Sequence, residues 1–474
     1  MIKLVLSEVV EAIGGQVVGD APMLSVNGVS TDSRTVRSGE LFFALQGPNF
    51  DGHEYVSRAF DEGAIGAVIK NARTLETAKI IEGAEHPGVL VAVNDPLKAL
   101  GKLAAFHRSQ SSADVITVVG SNGKSTTKAM IDHILQGKLR GRCNPKSFNN
   151  NIGVPLTLLS AEAPDDYLVV EVGTNSPGEV AELAELARPK MTVITCISEE
   201  HLEGLGDLNG VALEECSVLA HVPAGGFAAI NVDWPRIREF LPSAGPTIAT
   251  FGRCAEADLR VTETRYDSPW LNFKLNDRFD YRLRMPGAHN ALNAAGAIAV
   301  ALRWGFEHGE IAERLESFTA LPMRSEVVSF DGLTVINDAY NANPDSAVAA
   351  IEALEAMPAA GRRIVVFGEM RELGEHAPEL HRRVAERLAS ARINHVCLVG
   401  SAAEMMSETL RGADSLFGPK VDCCETVVQC RDKLAGAVKA GDVVLLKGSR
   451  LVGLDRLVGS LRSIMNKQKT TPVD

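Results

Sequence analysis

The chain has 474 residues, of which 45% are hydrophobic and 23% charged, and its formal net charge is −12. That length is too great for one ordinary core and corresponds to about three domains of typical size. An acidic balance without a long basic block argues against a nucleic-acid partner, while leaving room for local basic pockets that bind phosphates, and no apolar run reaches the ~18 residues of a membrane span.

The first residues, MIKLVLSEVVEAIGG, are too acidic, and their apolar part too short, for a signal peptide, so a cytoplasmic location is expected. Residues 1–88 alternate short strands and turns around TDSRTVRSGELFFALQGPNFDGHEYVSRAFDEGAIGAVI, with a helix at EYVSRAFDEG before the strand AIGAVI. They are expected to form a small α/β unit. Two polar loops stand out, Asp32-Ser33-Arg34 and Gly47-Pro48-Asn49-Phe50-Asp51-Gly52-His53. Turn chemistry alone accounts for such loops at least as well as a ligand does.

A helix over residues 96–109 leads into the most informative stretch, VITVVGSNGKSTTKAMIDHIL at residues 115–135. A β-branched apolar run, a glycine loop and a helical run follow one another, the order of a phosphate cradle. Gly120, Ser121, Asn122 and Gly123 let backbone N–H groups close around phosphate oxygens. Lys124 supplies a point charge, Ser125 a hydroxyl for Mg²⁺, and Thr126 completes the first helical turn. Val118 occupies the position of the first glycine of the longer eight-residue pattern, so the match is to the shortened form.

Beyond it, strands and helices alternate to about residue 319: LVVEVG, the helix GEVAELAELA, TVITCIS, a further helix and GGFAAINVD. Near-continuous apolar strands separated by helices imply a parallel sheet covered on both faces, with ligands at the carboxyl ends of its strands. Those ends carry Glu171, Thr174 and the run Glu199-Glu200-His201, where an acid and a histidine are placed to ligate Mg²⁺. Asn290 and Asn293, three residues apart in an Ala-rich helix, share a face and offer both donor and acceptor to a purine edge, although capping a helix start explains them equally well.

From residue 327 the pattern resets into a second doubly wound unit of about 150 residues. Its strand ends carry Asp338, Tyr340, Asn341, Asn343, Glu369, Lys447 and Arg450, and the tail NKQKTTPVD is expected to fray. The expected domains are therefore residues 1–88, 89–319 and 320–474, with an α/β fold throughout. The eight cysteines, including the vicinal pair Cys423-Cys424, show no C-x-x-C spacing and read as reduced thiols rather than metal ligands or disulfides.

Taken together, STDSRTVRSGELFFALQGPNFDGH, GSNGKSTTK, KSFNNNIGVPLTLL, VVEVGTNSPGEVAEL, EEHLEGLGDLNGVA, GAHNALNAAGA, NDAYNANPDS, VFGEMRELG and LLKGSR resemble, in order and spacing, the Mur ligases, the ATP-dependent amide-forming enzymes of peptidoglycan synthesis. The resemblance covers residues 28–460. YNANPDS followed by GEMRELG points to a member that joins D-alanyl-D-alanine to UDP-N-acetylmuramoyl-tripeptide. The resemblance implies a UDP-binding first domain, a central ATPase domain with a parallel sheet and a Rossmann-like third domain. ATP and two Mg²⁺ ions are the implied cofactors.

Carried over by position, Lys124 and Ser125 hold phosphate and metal, and Glu171 and His201 are further Mg²⁺ positions. Asn293, with Asn290, faces adenine, Asp338 faces the ribose, and Arg324 belongs to the nucleotide site. Ser33, Arg34, Asn49 and Phe50 match the uridine loops; Asn149, Asn150 and Thr174 lie near the muramoyl group and its peptide arm. Most members have a lysine, carbamylated by CO₂, where this chain has Glu215, and no lysine occurs between Lys190 and Lys274. Glu215 is expected to supply the same negative charge directly, alone or with Glu214. Ala339 and Met323-Arg324 are smaller departures. A Mur-type ligase adding a single amino acid, or a non-catalytic nucleotide-binding paralogue, are the competing readings. The default assembly is a monomer.

Overall fold

The computed structural model describes residues 4–18, 23–74, 76–77, 88–145, 147–412 and 418–470. The first sheet has five strands in the order Gln16–Val18, Val89–Val93, Gly66–Lys70, Glu40–Phe43, Gly28–Ser30. Its first ladder is antiparallel and the other three are parallel. Phe42, Phe43 and Phe60 fill its two faces. The short helix Leu6–Ile13 buries Leu6, Val9 and Ile13, the spacing of one helical face. It rests on helix Pro96–Gln110, so the first core runs on into the second domain.

The central sheet has nine strands, and its order explains the position of the phosphate loop. Strand Asp114–Val119 pairs in parallel with Tyr167–Glu171 on one side and with Met191–Ile194 on the other. The chain leaves it toward Gly141–Cys143 at one edge, whereas from the adjacent strand Tyr167–Glu171 it crosses back to Met191–Ile194, so the carboxyl ends of these two strands form the switch point where open α/β sheets bind ligands. Gly141–Cys143 flanks one edge; Phe227–Asn231, Thr247–Gly252 and Leu259–Asp267 extend the parallel part on the other. The last two ladders, to Trp270–Leu275 and then Phe279–Leu283, are antiparallel, an extension beyond the all-parallel sheet expected from the sequence. Leu271, Phe273 and Leu275 alternate inward there and pack with the Ala-rich helix His289–Arg303.

The third sheet has six strands in the order Glu326–Phe330, Leu333–Asp338, Val443–Lys447, Arg363–Gly368, His395–Val399, Lys420–Cys424. Only its first ladder is antiparallel. Asp338 and Lys447 end adjacent parallel strands. Helix Arg456–Thr470 takes in most of the tail expected to fray, and residues 471–474 lie outside the described ones. Among the described residues no helix is long and apolar enough to cross a membrane.

Candidate active site

The loop after strand Asp114–Val119 turns on two glycines with left-handed angles, φ +115° at Gly120 and +83° at Gly123. A Cβ at Gly123 would stand 2.1 Å from Asn293 Oδ1, and one at Gly120 would stand 2.9 Å from the Cys196 carbonyl oxygen. Only glycine fits both the angles and the space. Helix Lys124–Leu135 starts directly afterwards, and its first turn borders a cleft of about 720 Å³. The opposite wall carries Asp338, Tyr340, Lys447 and Arg450 of the C-terminal domain. Backbone N–H groups and the positive end of the helix dipole thus meet a cavity large enough for a nucleotide.

Lys124 is folded back onto its own loop. Its Nζ donates to the Gly120 and Ser121 carbonyls at 2.5 and 3.3 Å and lies 3.4 Å from Glu200 Oε1. Burial opposes its charge, but Glu200, Glu215 and Glu171 together hold its pKa above the ordinary lysine value. Glu171 is buried and accepts from Ser125 Oγ at 2.6 Å and from Asn149 Nδ2 at 3.0 Å, with Lys128 Nζ 3.4 Å away. A hydroxyl and a carboxylate that already share a proton at the mouth of a phosphate cradle form the hard oxygen set that Mg²⁺ selects.

His201 opens helix Leu202–Leu205 with φ +50°, a strained setting for a residue with a side chain. Its Nδ1 lies 2.7 Å from Glu372 Oε2 of the C-terminal domain, off the line of a hydrogen bond, and its Nε2 lies 3.8 Å from Glu200 Oε2. Burial disfavours the imidazolium, but Glu372 and Glu200 outweigh it and raise the pKa. Burial likewise raises the Glu200 carboxyl, against the pull of Lys124.

Glu215 sits fully buried behind the loop. Its Oε2 accepts the Gly120 N–H at 2.7 Å, its Oε1 has no hydrogen-bond partner, and it is not part of the cleft wall. Burial pushes its pKa up to about 7, against the attraction of Lys124. Glu214, in contrast, is taken up at the start of helix Glu179–Ala187, where it accepts the Gly178 and Val180 N–H groups at 2.6 and 2.7 Å.

Asn290 Nδ2 donates to the Pro286 carbonyl at 2.7 Å, and its Oδ1 accepts from Asn293 Nδ2 at 3.0 Å, so Asn290 braces the amide that faces the loop. Asp338 accepts the Ser325 N–H at 2.9 Å and pairs with Lys447 Nζ at 2.7 Å. Arg324 lies 4.0 Å over the Tyr340 ring and donates to Ser147 Oγ at 3.1 Å.

Asn149, Asn150 and Thr174 border the same cleft. Ser33, Arg34, Asn49 and Phe50 do not: Arg34 is paired with Asp32 at 2.7 Å, and Asn49 and Phe50 lie at the hairpin formed by Gln46–Gly47 and Phe50–Asp51. The structure therefore gathers the nucleotide-type and muramoyl-type candidates and leaves the first-domain loops apart.

Residues 25–108, 118–301 and 323–450 match, in that order, the Mur ligase family catalytic domain, the Mur ligase middle domain and the Mur ligase glutamate ligase domain. The chain is 31% identical to the UDP-N-acetylmuramoyl-tripeptide–D-alanyl-D-alanine ligase of Escherichia coli (strain K12), across 98% of this chain and 99% of that protein. The chain belongs to the Mur ligase family. The ligase of the same name from Bacillus subtilis (strain 168) is 30% identical over 97% and 99% of the two chains. Among solved structures, MurF from Acinetobacter baumannii superposes with a TM-score of 0.86 at 27% identity, covering 98% of this chain and 99% of that one. The MurF ligase of Thermotoga maritima in complex with ADP gives 0.79 at 26% identity, covering 94% and 99%.

Sequence patterns alone leave four residues of this Mur ligase site unassigned. Lys128 lies one helical turn after Lys124 in KSTTK, a same-face spacing that was available. Glu200 adjoins His201, and the sequence gives it no role of its own. Ser147 and Glu372 carry no local signal, because only the tertiary fold brings them to Arg324 and His201.

Proposed function

We propose that this Mur ligase joins D-alanyl-D-alanine to UDP-N-acetylmuramoyl-tripeptide with ATP as the energy source, forming UDP-N-acetylmuramoyl-pentapeptide for peptidoglycan synthesis. The observation that carries the reading is likeness over nearly the whole chain to ligases named for that reaction. The cleft supports the chemistry. The tripeptide's terminal carboxylate attacks the γ-phosphorus of ATP, the γ-phosphoryl group moves to it, and ADP leaves. The dipeptide amine then attacks the acyl phosphate carbon through a tetrahedral intermediate and expels phosphate.

In this reading the N–H groups of residues 123–126 cradle the phosphates, because those of Gly120, Ser121 and Asn122 are taken by Glu215 and Cys196; Lys124 leaves its loop carbonyls and Glu200 for the β- and γ-phosphates, where charge accumulates as the phosphoryl group moves. Asn293, braced by Asn290, meets adenine; Asp338 takes the ribose; Arg324 approaches the phosphates from the third domain. Ser125, Glu171 and His201 would hold Mg²⁺, which neutralises the charge on the transferring group. Glu215 fixes Gly120, keeps one carboxylate oxygen without a partner and is drawn to Lys124; ionised, it would supply the negative charge that a carbamate provides elsewhere, and from behind the loop it would reach a second Mg²⁺ only through a water. Ser33, Arg34, Asn49 and Phe50 bind the uridine end. Asn149, Asn150 and Thr174 line the muramoyl arm. The domains follow the boundaries 1–88, 89–319 and 320–474, and the enzyme acts as a cytoplasmic monomer.

Supplying UDP-muramoyl acceptors with two, three or four peptide residues, and weighing the products, tests the substrate assignment. Only the tripeptide acceptor with D-alanyl-D-alanine should give product. Extension of the shorter acceptor by a single amino acid would transfer the chain to another amide ligase.

A further inference from the structure

Two strands of the C-terminal sheet and the helix that covers them bring five ligand-type side chains together, and none of them lines the nucleotide cleft. Strands His395–Val399 and Lys420–Cys424 run parallel, with Cys397 opposite Asp422 and Val399 opposite Cys424. Alternate residues of a strand share a face, so His395, Cys397, Asp422 and Cys424 project from the same side. Helix Val427–Ala435 packs on that side and adds Cys430. Cys397, Cys424 and Cys430 lie in the same buried cluster.

The donor atoms are spaced for a metal. Cys397 Sγ lies 3.5 Å from His395 Nε2, which lies 2.7 Å from Asp422 Oδ2, and donor atoms of the three residues all fall within 4.8 Å of one another. With Zn–N near 2.0 Å and Zn–S near 2.3 Å, the N···S edge of a zinc tetrahedron is about 3.5 Å and an N···O edge about 3.4 Å. The first edge is already in place, and the second needs the carboxylate to open by less than an ångström. Among the described residues this is the one group of three or more such side chains that fits a metal ion.

We propose that His395, Cys397 and Asp422, joined on binding by Cys430 from the covering helix, form a structural site for a soft divalent cation of the zinc type, with one imidazole, one carboxylate and two thiolates as ligands. On binding, each thiol releases its proton to solvent. The ligands then carry three negative charges against two positive ones on the ion. Lys420 Nζ at 3.0 Å and Lys433 Nζ at 3.9 Å from the Asp422 carboxylate offset the remainder. His395, Cys397 and Cys430 are buried, and the half-buried Asp422 marks the way in. Without the ion, the His395–Asp422 and Cys397–His395 bonds satisfy these polar atoms, so the domain folds either way; with it, the edge strand and its covering helix are tied to the sheet. The ligands come from two strands and a helix, which is why the cysteine spacing in the sequence spoke for reduced thiols instead.

Co²⁺ titrated into the reduced full-length chain in Mg²⁺-containing buffer is the test. One equivalent should produce tetrahedral d–d absorption and a sulfur-to-cobalt charge-transfer band. Zn²⁺ should abolish both signals, which should also be missing in Cys397→Ser and Cys430→Ser, with ligase activity retained. Asp422→Asn, which alters a residue at the rim, should shift the d–d bands, and zinc retained by the wild-type protein after dialysis should approach one equivalent. Absence of a charge-transfer band, its persistence in both serine variants, or a zinc-free wild-type protein after exposure to Zn²⁺ would each overturn the site.

Discussion

Asn122 of the phosphate loop and Asn343 of the C-terminal domain pair through their amides in both directions, with Asn343 Nδ2 donating to Asn122 Oδ1 at 2.9 Å and Asn122 Nδ2 donating to Asn343 Oδ1 at 3.3 Å. The same Asn343 Oδ1 accepts the Ser346 N–H at 2.9 Å and so caps helix Pro344–Ala356. One side chain starts a helix in one domain and holds the nucleotide loop of another. Asn343→Asp keeps the cap and loses the donor to Asn122. It should leave the unfolding midpoint nearly unchanged and weaken ATP-analogue binding by roughly fivefold, the worth of about one hydrogen bond. Asn343→Ala should lose about 1 kcal/mol of stability as well. Calorimetric titration and thermal unfolding separate the two effects; unaltered nucleotide binding in both variants would make the amide pair incidental.

Lys124 is the cation around which Glu200, Glu171 and Glu215 are arranged. Lys124→Met should lower kcat by roughly 10²–10³, the usual cost of removing a charge from a transferring phosphoryl group. The variant should also melt earlier, because three carboxylates lose their counter-charge. Binding of the UDP-linked substrate alone, followed by fluorescence or calorimetry, should stay as in the wild type.

Glu215 stands where a CO₂-modified lysine is expected, so wild-type turnover should be indifferent to removal of CO₂ and the mass of the peptide containing residue 215 should be unmodified. Glu215→Lys should make activity depend on added bicarbonate. Glu215→Gln keeps an acceptor for Gly120 and loses the charge; its Mg²⁺ requirement should rise by roughly tenfold, in line with loss of an outer-sphere partner. Wild-type activity that collapses without CO₂ and returns with bicarbonate would contradict the assignment.

In the first domain, Asp51 accepts the His53 N–H at 3.0 Å, lies 2.6 Å from its ring Nδ1, and pairs with Arg73. Burial works against its charge, but Arg73 and His53 outweigh it and hold the carboxyl at about 2, below its ordinary 3.8. A folded pKa below the unfolded one stabilises at pH above the unfolded value, and that contribution is lost as pH falls through the folded value. The contribution at neutral pH is at most about 2 kcal/mol. Asp51→Asn should therefore unfold at lower denaturant concentration at neutral pH, and the gap to wild type should narrow steadily below about pH 4. A gap that widens on acidification would contradict the pairing.

Local patterns carried much of this site. The β-branched run, Gly120, Gly123 and Lys124 are contiguous, and the loop follows from backbone sterics alone. Glu171 and His201 were legible as polar residues ending apolar strands. The antiparallel extension was less so, because the alternation in Trp270–Leu275 is short and says nothing of which sheet it joins. Contacts across domains, such as His201 with Glu372 and Arg324 with Ser147, have no signature in either segment and arise only when the third sheet faces the second. The metal-type cluster was hidden for a related reason: strand register, not sequence spacing, brings Asp422 beside His395 and Cys397.

The most direct test of the whole account is phosphate release from ATP by the purified protein, with UDP-N-acetylmuramoyl-tripeptide and D-alanyl-D-alanine supplied together and each omitted in turn. Release that requires both, matched by the appearance of the pentapeptide product, is the predicted result. Release that continues without either substrate, or none when both are present, would contradict the ligase assignment.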